Sequence, residues 1–162
     1  MKRSTWIAIA GSVVSLAVLL VLWRIAAAPV PPEDQQIRTR IEEVRQAIEQ
    51  RDVNAIMDAL SADFGAFGYS PERLRVEIAS AFRRGVKPHV RYASPVINVI
   101  GKEATVNMRV EVWWEDMGHV SRHEPTDIQL ILRKEPARKW LLIPTEKWRV
   151  VDLEGVRIGG LE

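Results

Sequence analysis

The pattern of apolar and polar positions changes character twice along the chain, and each change marks a boundary between kinds of element. From Ser4 to Trp23 no charged residue occurs between Lys2-Arg3 and Arg24, and a helix rising ~1.5 Å per residue over such a run crosses a ~30 Å hydrocarbon core. After Pro32 the pattern becomes helical. Ile37, Ile41, Val44 and Ile48 recur at steps of four, three and four, with Arg38, Glu42, Glu43, Arg45 and Glu49 on the other faces. Arg51-Asp52 resets this pattern, with Asp52 placed to cap a second piece carrying Val53, Ile56 and Leu60, which closes at Ser61-Ala62-Asp63. Gly65, Gly68 and Tyr69 read as a loop. Ser70-Pro71-Glu72 reads as the cap, first-turn proline and acid that open another helix, with Leu74, Ile78, Ala81 and Phe82 as its buried stripe. Arg83, Arg84 and Gly85 suit the end of that helix, and Pro88 prevents its continuation.

From His89 the period falls to two. Val90 and Tyr92, then Val96, Asn98 and Ile100, alternate around Pro95, which argues for a bulge or an edge position. Gly101-Lys102 fits a two-residue hairpin turn. The strand after it carries Ala104, Val106, Met108, Val110, Val112 and Trp114 on one face, and Thr105, Asn107, Arg109, Glu111 and Trp113 on the other. Asp116-Met117-Gly118 is a turn, Ile128, Leu130 and Leu132 alternate again, and Glu135-Pro136-Ala137-Arg138 reads as a further turn. Trp140 to Ile143 and Trp148 to Leu153 are the last two expected strands.

Two readings compete for the amino-terminal run. A cleaved signal peptide would use the basic start and Ala26-Ala27-Ala28 as its cleavage site. An anchor is favoured because the apolar run exceeds the usual ~7 to 15 residues, Pro29 would follow the cut, and Trp6 and Trp23 suit the two bilayer interfaces. With Lys2 and Arg3 before the span, and Arg24 followed by Glu33 and Asp34, the amino terminus is expected in the cytoplasm and the carboxyl-terminal part outside it. The expected organisation is an anchor with flanks over 1–27, a proline-rich spacer over 28–33 that stays extended, and one domain over 34–162. The membrane partner is residues 4–23.

Helices followed by an antiparallel meander with one apolar face give an α+β domain in which the helices cover that face. The segments "IMDALSADF", "SPERLRVEIASAF", "VINVIGKEATVNMRVEVWWE" and "KWRVVDLEG" resemble the nuclear transport factor 2-like superfamily, also called SnoaL-like or cystatin-like, over roughly Asp34 to Leu153. The resemblance implies a curved sheet wrapped round helices as a cone. It also implies that an enzyme of this type would place Asp, Tyr, His or Arg inside the cone.

Charge changes the picture by what it excludes. The pI of about 9.1 suggests a nucleic-acid binder, yet Lys2, Arg3 and Arg24 supply three of the positive charges behind the net +2, so the remainder carries −1. A near-neutral domain with interspersed charges has little counterion release to drive phosphate binding, and no nucleic-acid partner is expected. With no cysteine there is neither a disulfide nor a thiol nucleophile.

The inward row Ala104 to Trp114 contains no ionisable residue, whereas proton transfer needs an acid or base with a tuned pKa. No catalytic residue and no cofactor is assigned. Asp63 and Tyr69 are placed at the mouth of the cone and Asp127 at a strand start, each with an ordinary structural explanation. His119 and His123, beside Glu124, lie between Gly118 and Pro125 in a turn or strand; in a strand their rings would share a side but sit roughly 13 Å apart, so no metal site is assigned. His89 has no visible partner. Met108, Val110 and Trp114 are the residues that would line a cavity for a small apolar ligand. Trp113, outward with Arg109 and Glu111, needs cover, either from the carboxyl-terminal tail or a neighbouring strand, or from a protein partner or second copy. Trp140 and Trp148 are expected to seal the core. Three functions therefore stand: a non-catalytic, membrane-anchored interaction or assembly domain, which is preferred; a small-ligand carrier; and a SnoaL-like enzyme.

Overall fold

The computed structural model describes residues 31–116, 118–139 and 143–155. The expected anchor over 4–23, most of the spacer, Trp140 and the tail with Ile158 and Leu161 lie outside the described residues. Among the described residues no helix is long and apolar enough to cross a membrane.

Helix α1, Glu33–Gln50, opens with two acids at its positive end and buries Ile37, Ile41 and Ala47. Arg51 takes a left-handed φ of 59° to break it. Asp52 then caps α2, Val53–Asp58, accepting from the backbone N–H groups of Asn54 and Ala55 at 3.0 Å. After a 3-10 turn at Ala66–Gly68, Ser70 Oγ accepts from Arg73 N at 3.3 Å and opens α3, Pro71–Arg83, with Pro71 in its first turn. The expected stripe on α3 is the less exposed face of the helix but only half-buried: Leu74, Ile78, Ala81 and Phe82 are all partly exposed, Leu74 packs against the core, and Val76, off the stripe, is 62% exposed.

Among the described residues six strands form one antiparallel sheet: β1 Lys87–Tyr92, β2 Val96–Ile100, β3 Glu103–Asp116, β4 His119–Arg122, β5 Thr126–Lys139 and β6 Ile143–Glu154. The long β3 is the spine. β1 and β2 flank it on one side, β4 and β5 on the other, and β6 lies beyond β5. Gly101, at φ 62°, makes the tight β2–β3 turn. Helices on an antiparallel sheet are the α+β architecture read from the chain.

Two strand expectations need correction. Between Tyr92, opposite Val110, and Val96, opposite Asn107, the chain advances four residues while β3 advances three. That extra residue, at the break before Pro95, reverses the faces. Ile97 and Val99 pack against the core, and Val96 and Ile100 are 68% and 73% exposed. The second correction concerns Glu135-Pro136-Ala137-Arg138, which is not a turn but the continuation of β5, paired with β6 from Lys139 opposite Ile143 onward. Pro136 is tolerated because β3 has already ended, at Glu103 opposite Arg133, so no neighbour on that side needs its missing N–H. Of the expected strand Trp140 to Ile143 only Ile143 is among the described residues, and it opens β6, which runs on through the expected strand Trp148 to Leu153.

The core joins Ile37 and Ile41 of α1 with Phe64, Ala104, Val106, Leu132, Trp148 and Val150, and Trp148 is 3% exposed as a core seal should be. Leu60 bridges Val150 in parallel, and Ser61 N donates to Val150 O at 2.8 Å, fastening the end of α2 to the rim of β6. Asp58 sits at the same rim, held below its ordinary pKa against the cost of desolvation by the Arg40 guanidinium at 3.0 Å and the Lys147 ammonium at 3.2 Å.

Candidate functional site

Strand register decides which side chains meet on the outer face of the sheet, away from α1. Trp113 lies opposite His89 of β1 and Arg122 of β4, and Glu111 lies opposite Arg91. The His89 ring stacks on Trp113, with centroids 5.2 Å apart and planes 14° from parallel. Arg91 and Arg122 approach the same indole at 5.0 and 5.7 Å from its centroid, a cation–π arrangement worth ~0.5–1 kcal/mol each at an exposed site. Arg122 Nε also pairs with Glu111 at 3.6 Å. Trp113 is half-buried by these neighbours. Part of the cover expected for an outward tryptophan thus comes from the flanking strands. His89, Arg91 and Arg122 were not readable as its partners, because only the pairing register brings them there.

Arg109 stands two positions beyond Glu111 on the same face, opposite Asp127. It borders a cleft of about 490 Å³ that crosses the outer face, with Ser94 and Val96 at one rim, Glu154 and Gly155 at the other and Asn107 and Gln129 between them. Gln129 Nε2 donates to Asn107 Oδ1 at 3.1 Å, linking two of its lining side chains. The structure therefore places Trp113, Glu111 and Arg109 in one row, with the aromatic cluster at one end and the cleft at the other.

The inner face is different. Met108 packs against the core and borders the cleft from behind, Val110 and Trp114 are half-buried, and Trp114 meets the His123 ring at 4.7 Å with a 44° tilt. Asp63, assigned to a mouth, reaches Arg133 at 3.2 Å, while Tyr69 lies under the Arg73 guanidinium at 4.7 Å. Among the described residues no hydrogen bond or ion pair joins Asp63 to Tyr69. His119 belongs to the short exposed strand β4 and His123 follows it. Among the described residues no three metal-ligating side chains converge.

The most perturbed carboxylate is Glu42 on α1, which sequence reading treated only as part of a polar face. Hydrogen bonds from Arg45 at 2.6 Å and Gln46 at 3.0 Å, and from the Tyr92 hydroxyl at 2.9 Å, hold it down at about 2. The same arrangement, led by desolvation, raises the Tyr92 phenol. A carboxylate so stabilised as an anion is a poor base at neutral pH, and its chemistry is structural: it ties α1 to β1. Because Glu42 binds its proton more weakly folded than unfolded, its contribution is full above its ordinary value of 4.5 and is lost as pH falls toward 2. Glu42→Gln should lower the urea midpoint at pH 7 and flatten its fall between pH 5 and 3; an unchanged acid limb would remove Glu42 from this role.

No protein-family model and no curated protein matches the sequence. Solved structures do resemble it. A nuclear transport factor 2-like protein from Cytophaga hutchinsonii superposes with a TM-score of 0.59 at 16% identity, over 76% of this chain and 96% of that one. A protein of unknown function with a cystatin-like fold, from Nostoc punctiforme, gives 0.53 at 16% identity over 75% and 87%. Bd1075 from Bdellovibrio bacteriovorus gives 0.57 at 15% identity over 75% of this chain, which spans 40% of that protein's length. At such identities the likeness is one of architecture, and the chain carries the nuclear transport factor 2-like, cystatin-like fold.

Proposed function

We propose that this chain is a membrane-anchored, non-catalytic domain, displayed outside the cytoplasm, that engages a protein partner or a second copy through the outer face of its sheet. The observation carrying this reading is Trp113, fixed in place by His89 stacking and by Arg91 and Arg122 over its ring, with Val120 of the adjoining strand 66% exposed beside it. An aromatic residue among arginines, already ordered, loses little entropy on docking, and this composition is enriched in interface hot spots. The alternative of a small apolar ligand calls for a cavity among Met108, Val110 and Trp114, whereas the cleft described above opens on the opposite face. An enzyme of SnoaL-like type calls for an inward acid or base poised near neutrality, and Glu42 is shifted the other way.

Trp113→Ala in the full-length chain should reduce partner recovery in pull-downs, or self-association in sedimentation, by about 2 kcal/mol in binding free energy, roughly thirtyfold. Undiminished recovery and unchanged sedimentation would reject this face.

A further inference from the structure

We propose that a second copy of this chain pairs with the open edge of β2, antiparallel about a two-fold axis at Asn98, so that the sheet runs on from one copy into the next. The inference is independent of the outer-face reading. It assigns the second copy to the edge and leaves the surface around Trp113 to a different protein.

Backbone direction identifies the free groups. On the β5 side of β3, Lys134 N donates to Lys102 O at 2.8 Å, and on the side of β1 and β2, Ala93 N donates to Arg109 O at 2.9 Å. Backbone groups alternate sides along a strand, so the odd-numbered residues of β3 face β2. Their partners Val96, Asn98 and Ile100, opposite Asn107, Thr105 and Glu103, bond back to β3. Ile97 and Val99 therefore direct their N–H and C=O groups to the open edge, where among the described residues β2 pairs with no strand but β3. The usual guards of an edge are missing. From Tyr92 to Gly101 the chain carries no charge, and β2 itself contains neither a proline nor a break in register.

The ends of the strand choose the alignment. With Asn98 opposite itself, Ile97 meets Val99 of the second copy, and each such pair exchanges both N–H···O bonds. A shift that sets Ile97 opposite itself would bring Pro95, which has no N–H, against Val99. The reverse shift, with Val99 opposite itself, would bring Ile97 against Gly101, which leaves the strand at φ 62°. One-residue shifts fail differently, because they oppose open groups to groups that already face β3. Only the alignment centred on Asn98 uses every free group within β2.

Side chains fit the same axis. Val96 falls opposite the second copy's Ile100, and Ile100 opposite its Val96, on the face where both are exposed. Between them the two Asn98 amides meet, each able to donate and to accept. An interface about a two-fold axis must complement itself, and this uncharged strand does so, whereas a charged foreign strand would find no counter-charge in it.

The test exploits the absence of cysteine from the chain. In the full-length protein in non-ionic detergent, Asn98→Cys places two thiols on the axis, where the Cα atoms of a non-hydrogen-bonded pair lie ~4.5 Å apart, within reach of a disulfide. Oxidation with copper–phenanthroline should cross-link Asn98→Cys into dimers on a non-reducing gel and leave Asn107→Cys, equally exposed but on β3, monomeric. Val96→Cys and Ile100→Cys should cross-link when mixed but not alone, since like positions stand roughly 13 Å apart along the strands. Asn98→Lys, which sets like charges face to face, should weaken self-association in sedimentation about tenfold or more, and Trp113→Ala should leave it unchanged. Equal cross-linking at Asn98 and Asn107, self-linking of Val96→Cys alone, or a chain monomeric at every concentration would overturn the proposal. Self-association that survives Asn98→Lys but is lost in Trp113→Ala would move the second copy to the outer face, so the edge falls and the outer-face reading stands.

Discussion

Trp148→Ala should destabilise the domain by about 3–5 kcal/mol, the usual cost of removing a large buried aromatic. The ring is 3% exposed and belongs to the cluster that joins α1 to β3, β5 and β6. Its removal also uncouples a second layer. Lys134 Nζ stands 5.7 Å from the indole centroid and binds Glu33 Oε1 at 2.7 Å, so the ring supports the ammonium that holds the first turn of α1 to the sheet. Lys134 is correspondingly raised above the ordinary lysine range, first by the Glu33 hydrogen bond. Against a total stability of about 5–15 kcal/mol for a domain, the alanine variant should be largely unfolded at temperatures the parent tolerates. Trp148→Phe should recover much of the loss, because the indole N–H has no hydrogen-bond partner among the described residues to lose. Urea and thermal denaturation followed by far-ultraviolet circular dichroism check both values. A loss under about 1 kcal/mol for the alanine variant would show that the core is not centred on this ring.

Gly155→Ala should cost about 2 kcal/mol or more, by two routes that a companion variant separates. The glycine has φ 89°, and a Cβ there would stand 2.5 Å from the Asp127 carbonyl oxygen and 3.3 Å from the Ile128 Cα. Those are backbone atoms of β5, which cannot swing aside as a side-chain end would. Asn tolerates positive φ better than alanine does, so Gly155→Asn relieves the torsional part and leaves the collision. Equal destabilisation by Ala and Asn identifies the collision as dominant. A neutral Gly155→Ala would mean that the end of β6 does not lie against β5 in this way. Since Asp127 and Gly155 both border the outer cleft, the variants should also weaken any binding there.

Much of the architecture was legible because it rests on local rules. The Asp52 and Ser70 caps, the Gly101 turn and the alternation of β3 each depend on a few adjacent residues, and each appears as read. The failures share one physical origin, which is that pairing with a distant strand overrides a local signal. Pro136 reads as a turn until it is seen that β3 stops before reaching it. The α3 stripe reads as buried but stays half-exposed, with Leu74 on the core, because α1 is the helix laid along the sheet at β1, β2 and β6.

The site was legible in part for the same reason. Trp113 and Trp114 on opposite faces follow from the period of two, and Arg109 and Glu111 share the Trp113 face by the same rule. The partners that complete the cluster come from β1 and β4, at sequence distances no periodicity reaches. Glu42 was hidden differently. Its neighbours Arg45 and Gln46 are local, but Tyr92, whose hydroxyl ties it to β1, is fifty residues away.

The irregularity before Pro95 works like a phase switch in the reading of β2. Val96, Asn98 and Ile100 form one alternating set and Ile97 with Val99 the other, so the strand carries oily residues on both sides. Which set goes inside is decided by the single residue inserted between Tyr92 and Val96, not by hydrophobicity. Loss of one residue from that corner would turn the whole strand over while keeping its sequence intact. Asn98 would then face the oily interior, so the corner keeps a lone amide out of the protein's centre.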